Sequence, residues 1–182
     1  MRMRRLGISL AVTALAAVAG SAPAIGQDAT SALRGHNTNA PVDVAADRIE
    51  VQDRADRAIF SGNVVVRQAE LSLNAEWLTV AYSDTGGIQI ERLDASGGVT
   101  VRSPSETARG QYAIYDLNDR LITLVGGVVL TRGESQVRGG RLVLDLDSGR
   151  AVMDGGARTP AGTSAGTGGR VTGTFTVPQK RD

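Results

Sequence analysis

A glycine-led, β-branched segment returns three times in this chain. Gly62-Asn-Val-Val-Val-Arg67 recurs as Gly97-Gly-Val-Thr-Val-Arg102, and again as Gly126-Gly-Val-Val-Leu-Thr-Arg132 with one extra residue. Gly155-Gly-Ala-Arg158 is a degenerate fourth copy. The leading glycines lie 35, 29 and 29 residues apart. Periods of about 20–50 residues mark stacked supersecondary units. Each glycine permits a positive φ or a close backbone approach, and each β-branched run favours an extended strand.

The segments between the repeats alternate with period two. Ile49 and Val51 alternate with Arg48 and Glu50, and Leu71 and Leu73 with Ser72 and Asn74. Trp77, Leu78, Val80 and Tyr82 follow Glu76, and Ile88 and Ile90 flank Gln89. Tyr112 to Tyr115 follows Gly110. Leu142, Leu144 and Leu146 alternate with Val143, Asp145 and Asp147. Turn residues separate them at Asp53-Arg-Ala-Asp56, Ser83-Asp-Thr-Gly-Gly87, Asn118-Asp-Arg120, Arg132-Gly133 and Asp147-Ser-Gly149. This rhythm predicts an all-β body of short strands, and the short connections predict antiparallel neighbours. A barrel, a sandwich and an open roll all remain compatible with it.

Composition narrows the chemistry. Cysteine is absent and His36 is the only histidine, so thiolate metal sites and a Ser-His-Asp set within the patterned body are excluded. His36 itself falls in a polar lead-in and reads as inert. Asp145 and Asp147 are the one carboxylate pair worth weighing as general acids, and they read as a solvent-facing row. Arg67, Arg102 and Arg132 at equivalent repeat positions could form a basic row; solvated strand ends are the simpler reading. No cofactor and no metal is expected. Aromatics make up only 3% of the chain, so the core must be aliphatic. Trp77 is expected to pack in it. Either the sheets lie close together or the interior is under-filled and accepts an apolar guest. Edge strands at the two ends offer unpaired backbone groups to a partner.

The ends of the chain read differently. Arg2, Arg4 and Arg5, the apolar run 6–20 and Ala22-Pro23-Ala24 have the layout of a signal peptide over residues 1–24. Its cleavage would turn the formal charge from +1 to about −2, which gives no general grip on nucleic acid. Residues 25–41 are expected to be a disordered lead-in and 42–158 the folded domain. Residues 159–182 are expected to be a flexible Gly/Thr-rich tail with a weak strand at 171–177.

The run Asp47-Arg-Ile-Glu-Val51, the pair through Ala58-Ile-Phe-Ser-Gly-Asn-Val-Val-Val-Arg67, and Leu71-Ser-Leu-Asn-Ala-Glu-Trp-Leu-Thr-Val-Ala-Tyr82 resemble the OstA-like N-terminal domain family of lipopolysaccharide transport proteins. Ala95-Ser-Gly-Gly-Val-Thr-Val101, Ala108 to Asp116, Leu124 to Arg132 and Val137 to Gly149 continue the resemblance over about residues 42–157. The family's Gly-Asn-Val is kept only at Gly62-Asn63-Val64; the other copies are Gly-Gly-Val. The resemblance implies an elongated, slightly open twisted β-jellyroll in the periplasm, without catalysis. It implies that lipid A acyl chains run along an apolar interior. The lining residues would be Ile49, Val51, Ile59, Val64, Val66, Leu71, Leu73, Leu78, Val80, Ile90, Val99, Val101, Ile114, Leu124, Val128, Leu130, Leu142 and Leu144. Implied partners are lipopolysaccharide, an inner-membrane-anchored homologous Lpt component, the N-terminal domain of the outer-membrane Lpt assembly protein, and further copies of the chain joined head to tail. An adaptor roll that pairs with proteins but carries no lipid is the alternative.

Overall fold

The computed structural model describes residues 36–84, 86–155 and 169–176. The signal-peptide expectation, the lead-in up to residue 35 and most of the tail fall outside them.

Ten strands form one sheet in which every pairing is antiparallel. Six are long: β3 (Arg57–Gln68), β4 (Leu71–Ser83), β5 (Gln89–Arg102), β6 (Glu106–Asp116), β7 (Leu121–Arg132) and β8 (Ser135–Asp145). They follow one another as a meander, joined by tight turns. At one edge β1 (Val42–Ala45) and β2 (Arg48–Gln52) each pair with half of β3. At the other, β9 (Arg150–Asp154) and β10 (Thr172–Thr174) each pair with half of β8. The open all-β roll agrees with the sequence. The strands are longer than the turn signals suggested, because the repeat glycines lie in mid-strand and do not start strands.

Those glycines bend the sheet. The register shifts between Ser61 and Val64, Asn74 and Trp77, Ser96 and Val99, Arg109 and Tyr112, and Val125 and Val128. These bulges divide every long strand at the same level. One leaf holds β1, β10 and the strand halves around Val64–Ala75 and Val99–Gly110. The other holds β2, β9 and the halves around Trp77–Ser96 and Tyr112–Val125. A bulge adds a residue to one strand and bends it. The backbone it needs is left-handed: φ is +78° at Gly62, +86° at Gly97 and +87° at Gly126. The following position is left-handed too, and there Asn63 (φ +47°) takes the place that Gly98 and Gly127 fill in the later copies. Asparagine is one of the few side chains that visit this region readily.

The inward faces of both leaves share one aliphatic core. Leu78, Leu93, Ile122, Leu124 and Leu142 of one leaf are fully buried beside Val64, Val99 and Val128 of the other. Across the seam, the Tyr115 hydroxyl donates to Gln68 Oε1 at 2.8 Å. Gln68 is itself buried and fully used: its Nε2 donates to the Thr38 and Ala40 carbonyls at 2.9 and 3.0 Å, and His36 Nε2 meets Oε1 at 3.2 Å. Gln68 thus clasps the leaves together and holds residues 36–40 over their junction. Burial lifts the Tyr115 hydroxyl above its usual 10.0, so it stays a donor through neutral pH. Tyr115→Phe keeps the ring and deletes one bond of this clasp. Urea unfolding should register a loss of about 1 kcal/mol, and Gln68→Leu, which strands two carbonyls, should lose more.

The turn after β8 has its own anchor. Asp145 accepts the backbone N–H groups of Asp147 and Ser148, each at 3.0 Å. The Ser148 N–H and hydroxyl, followed by the Asp147 N–H and the Arg150 charge, outweigh desolvation and hold this carboxyl below its usual 3.8. A depressed native pKa stabilises the fold at pH values above the unfolded value and loses that contribution as pH falls through the native one. Asp145→Asn should therefore flatten the stability profile below about pH 4. The effect is small because the group is exposed; a mutant profile parallel to wild type would refute it.

Candidate functional site

The inward faces are continuous rows crossing the whole sheet. One row runs Ile49–Phe60–Leu78–Ala95–Ala113–Leu124–Leu142–Met153 from edge to edge. The row beside it runs Val51–Ala58–Val80–Leu93–Tyr115–Ile122–Leu144–Ala151. On the facing leaf, Val44–Val66–Leu73–Val101–Ala108–Leu130–Val137–Gly173 forms a third. Period-two alternation in matched register makes such rows obligatory once one face is apolar.

The rows change character along their length. In the middle, residues such as Leu78, Leu124 and Leu142 have no exposure at all. Two voids there, one between Leu71, Val101 and Leu144 and one between Val66, Leu93 and Ile122, measure only about 10 Å³ each. At the β2 edge, Ile49 and Val51 point inward yet are each 56% exposed. At the β9–β10 edge the leaves part around a cavity of about 310 Å³ lined by Leu130, Val137, Leu142, Ala151, Met153 and Phe175. Phe175 is largely exposed and lies against Gly173, where a Cβ would come within 2.8 Å of its ring. Arg132 and Ser135 also line this mouth, and the Arg132 guanidinium bonds the buried Glu106 carboxylate at 2.8 Å.

Of the residues expected to line an interior, most are brought together. Val64, Val66, Leu71, Leu73, Leu78, Val80, Val99, Val101, Leu124, Val128, Leu142 and Leu144 are buried in one cluster, with Ile90 and Leu130 packed against it. Ile59 and Ile114 are not brought in. They share an outward row with Thr79 and Asp94, because Ala58, Phe60, Ala113 and Tyr115 take the inward positions of β3 and β6. Trp77 also departs from expectation: it is 56% exposed in the outward row Ser61–Trp77–Ser96–Tyr112. The bulge beside it turns Leu78 inward and leaves the indole outside. Arg132 does not join Arg67 and Arg102 in a basic row, the less simple of the two readings of these residues. The extra residue in its repeat copy shifts the period by one, so it faces the interior rim while Arg67 and Arg102 face outward. Asp147 pairs with Arg120 at 2.9 Å, away from Asp145, which spends its oxygens on the turn. Phe60, Leu93, Tyr115, Met153 and Gln68 belong to the interior but were missed. The alternation Leu93–Ala95 was a usable signal for one of them.

Among the described residues, no group of three His, Asp or Glu side chains is placed to hold a metal ion. The fold and its interior define an open, bent β-sheet protein with an aliphatic lumen, filled in the centre and accessible at both edges. A family described as LptA/(LptD N-terminal domain) LPS transport protein matches residues 43–150, and the chain belongs to it. An uncharacterized protein of Rhizobium meliloti (strain 1021) is 32% identical over 130 residues, covering 67% of this chain and 70% of its own length. A solved structure with the same fold is LptH of Pseudomonas aeruginosa, described as the LptA-homologous periplasmic component of the lipopolysaccharide transport device. Its TM-score is 0.64 at 18% identity, over 78% of this chain and 99% of that one.

Proposed function

We propose that this chain is a periplasmic, non-enzymatic carrier in lipopolysaccharide transport that shields lipid A acyl chains between its two leaves. The observation that carries the reading is the set of unbroken aliphatic rows, accessible at both edges. Transfer of each methylene from water into such an interior is worth about 0.8 kcal/mol. Along the row from Ile49 to Met153 every position is apolar, so a bound chain can move along it with the Gln68–Tyr115 clasp as the one polar contact beside its path. The mouth at the β9–β10 edge, at about 310 Å³, is already of ligand-pocket size, at the lower end of the range of about 300–1,000 Å³. The centre is filled, so a chain passing through must push the leaves apart at the Gln68–Tyr115 clasp. The lining set is the inward part of the rows, from Ile49 and Val51 through Leu78, Leu124 and Leu142 to Met153. A nucleotide site is not needed in such a carrier, because the driving energy comes from elsewhere in the transport chain.

Among the described residues the outer sides of β1–β2 and of β9–β10 have no strand partner, which suits pairing with an inner-membrane-anchored homologous Lpt component, with the N-terminal domain of the outer-membrane Lpt assembly protein, or with further copies head to tail. The signal-peptide reading of residues 1–24 is kept as part of this proposal and lies outside the described residues.

Adjacent positions give the test. A photo-crosslinking residue at Leu144 should capture lipopolysaccharide in living cells, and the same residue at Asp145, one step along the strand on the outer face, should not. Capture at Asp145 alone would overturn the carrier reading. The filled centre favours a second reading, an adaptor roll that joins proteins by its edges without lipid. That reading predicts protein adducts at β1 and β9 and no lipid adduct at Leu144.

A further inference from the structure

The two outward faces of the sheet carry charge very differently. On the leaf containing β2 and β9, cations and anions are interleaved. Arg48 meets Glu50, Arg92 meets Asp94 at 2.7 Å, and Arg141 meets Asp154. On the leaf containing β1 and β10, the outward rows hold Arg67, Arg102, Arg109 and Arg138 against one carboxylate, Asp43. All four guanidinium-bearing residues are exposed. Among the described residues none of them makes an ion pair; Arg102 bonds the neutral Asn74 and Arg138 the neutral Gln136. Of the nearby acids, Glu70 and Glu134 sit in the hairpin turns at the tips of the leaf, and Asp47 and Glu76 are exposed at the line of bulges that borders it.

We propose that this arginine face docks the protein onto the surface of a bilayer rich in anionic phospholipid. Charge complementarity names an anionic occupant, and the spacing names an extended one. The four arginines lie on β3, β5, β6 and β8. At about 4.8 Å per strand, the outer two are about 24 Å apart. Their supporting rows are otherwise short and neutral: Ser72, Asn74, Thr100, Thr107, Thr131 and Gln136. A single phosphate can reach one or two of these side chains. An extended array of deformable head groups can meet more of them at once. One recess does adjoin the face, a cavity of about 550 Å³ bounded by Arg138, Arg170, Gly139 and Thr172. Arg67, Arg102 and Arg109 do not line it, so one anion held there leaves three of the four arginines unused. The remaining ledge of the sheet, with its interior mouth, would then stand beside the membrane surface. The proposal rests on charge placement alone and does not require that the interior carry lipid.

The test uses protein recovered from the periplasm and vesicles free of lipopolysaccharide. Flotation is measured with phosphatidylcholine vesicles with and without 40 mol% phosphatidylglycerol. Wild type should partition onto the anionic vesicles and not the neutral ones, with affinity falling as salt rises. A juxtamembrane arginine is worth about fivefold in binding. The variant R67Q/R102Q/R109Q/R138Q should therefore bind at least about 50-fold more weakly, and R48Q/R57Q/R141Q/R150Q on the other leaf should stay within about threefold of wild type. Equal loss in both variants, or wild-type binding to neutral vesicles, overturns the proposal. So does displacement from the vesicles by 10 mM inorganic phosphate at constant ionic strength, which would assign the face to a discrete anion. Failure of wild type to bind anionic vesicles while soluble acidic protein is retained would assign it to a protein partner, and equally overturns it. Should the quadruple variant not fold, each single variant must still show about a fivefold loss. Lipid capture at Leu144 reports separately on the interior, so failure of one reading leaves the other measurable.

Discussion

Leu142→Ala is expected to unfold at a far lower urea concentration than the wild-type chain. Leu142 has no exposed surface and sits in register between Leu124 and Met153. Removing a buried leucine to the β-carbon costs about 2–5 kcal/mol where the surroundings cannot collapse. Here collapse is limited because the site lies on a strand paired on both sides, and the lost side chain also borders the mouth of about 310 Å³, which its removal widens. A domain of this size is stable by about 5–15 kcal/mol in total, so a single such change consumes much of the reserve. Leu124→Ala should cost a similar amount. The double variant should cost less than the sum, because the two side chains share one contact. Strict additivity would mean that the leaves do not pack across this row as described. The same substitution also enlarges the lumen. If the carrier reading holds, Leu142→Ala at low temperature should take up lipid faster while being less stable.

Gly126→Ala is expected to destabilise by about 2–4 kcal/mol, while Gly127→Asn leaves stability within about 1 kcal/mol. The two glycines are adjacent and both left-handed, at φ +87° and +60°. Their surroundings differ. A Cβ on Gly126 would lie 2.8 Å from Gln111 Cβ, closer than real side chains approach, whereas a Cβ on Gly127 would meet nothing within 4 Å. The first repeat copy has already made the second exchange, since Asn63 occupies the position equivalent to Gly127 with φ +47°. Thermal unfolding of the two variants side by side decides the matter. If both are equally harmful, the bulge is not the rigid element that sets the bend between the leaves.

The alternation Leu142–Leu144–Leu146 against Val143–Asp145–Asp147 made β8 legible, and its inward face followed from period two alone. The Gly-x-Val-x-Val repeats were legible as recurring units. What they mark was not. A glycine before a β-branched run looks the same whether it starts a strand or kinks one, and only pairing partners distinguish the cases. Ile114 and Trp77 show the consequence. Each lies within three residues of a bulge, where one inserted residue exchanges inside for outside. Arg132 shows the same effect from a single extra residue in its repeat copy. The Gln68–Tyr115 clasp joins residues 47 positions apart, and no local pattern announces a polar side chain whose partners come from the segment 36–40 and from the opposite leaf.

The sequence by itself determined that this chain would be an aliphatic, antiparallel β structure without thiol or histidine chemistry in its body. Those properties follow from residue types and their period, which are local. The tertiary structure decided that the long strands fold over at one line of bulges, that the interior is closed in the middle and accessible at the edges, and that one outer face is cationic while the other is neutralised. These depend on which strands become neighbours and in what register. One residue of slip inverts a face, and register is fixed only when the whole sheet assembles.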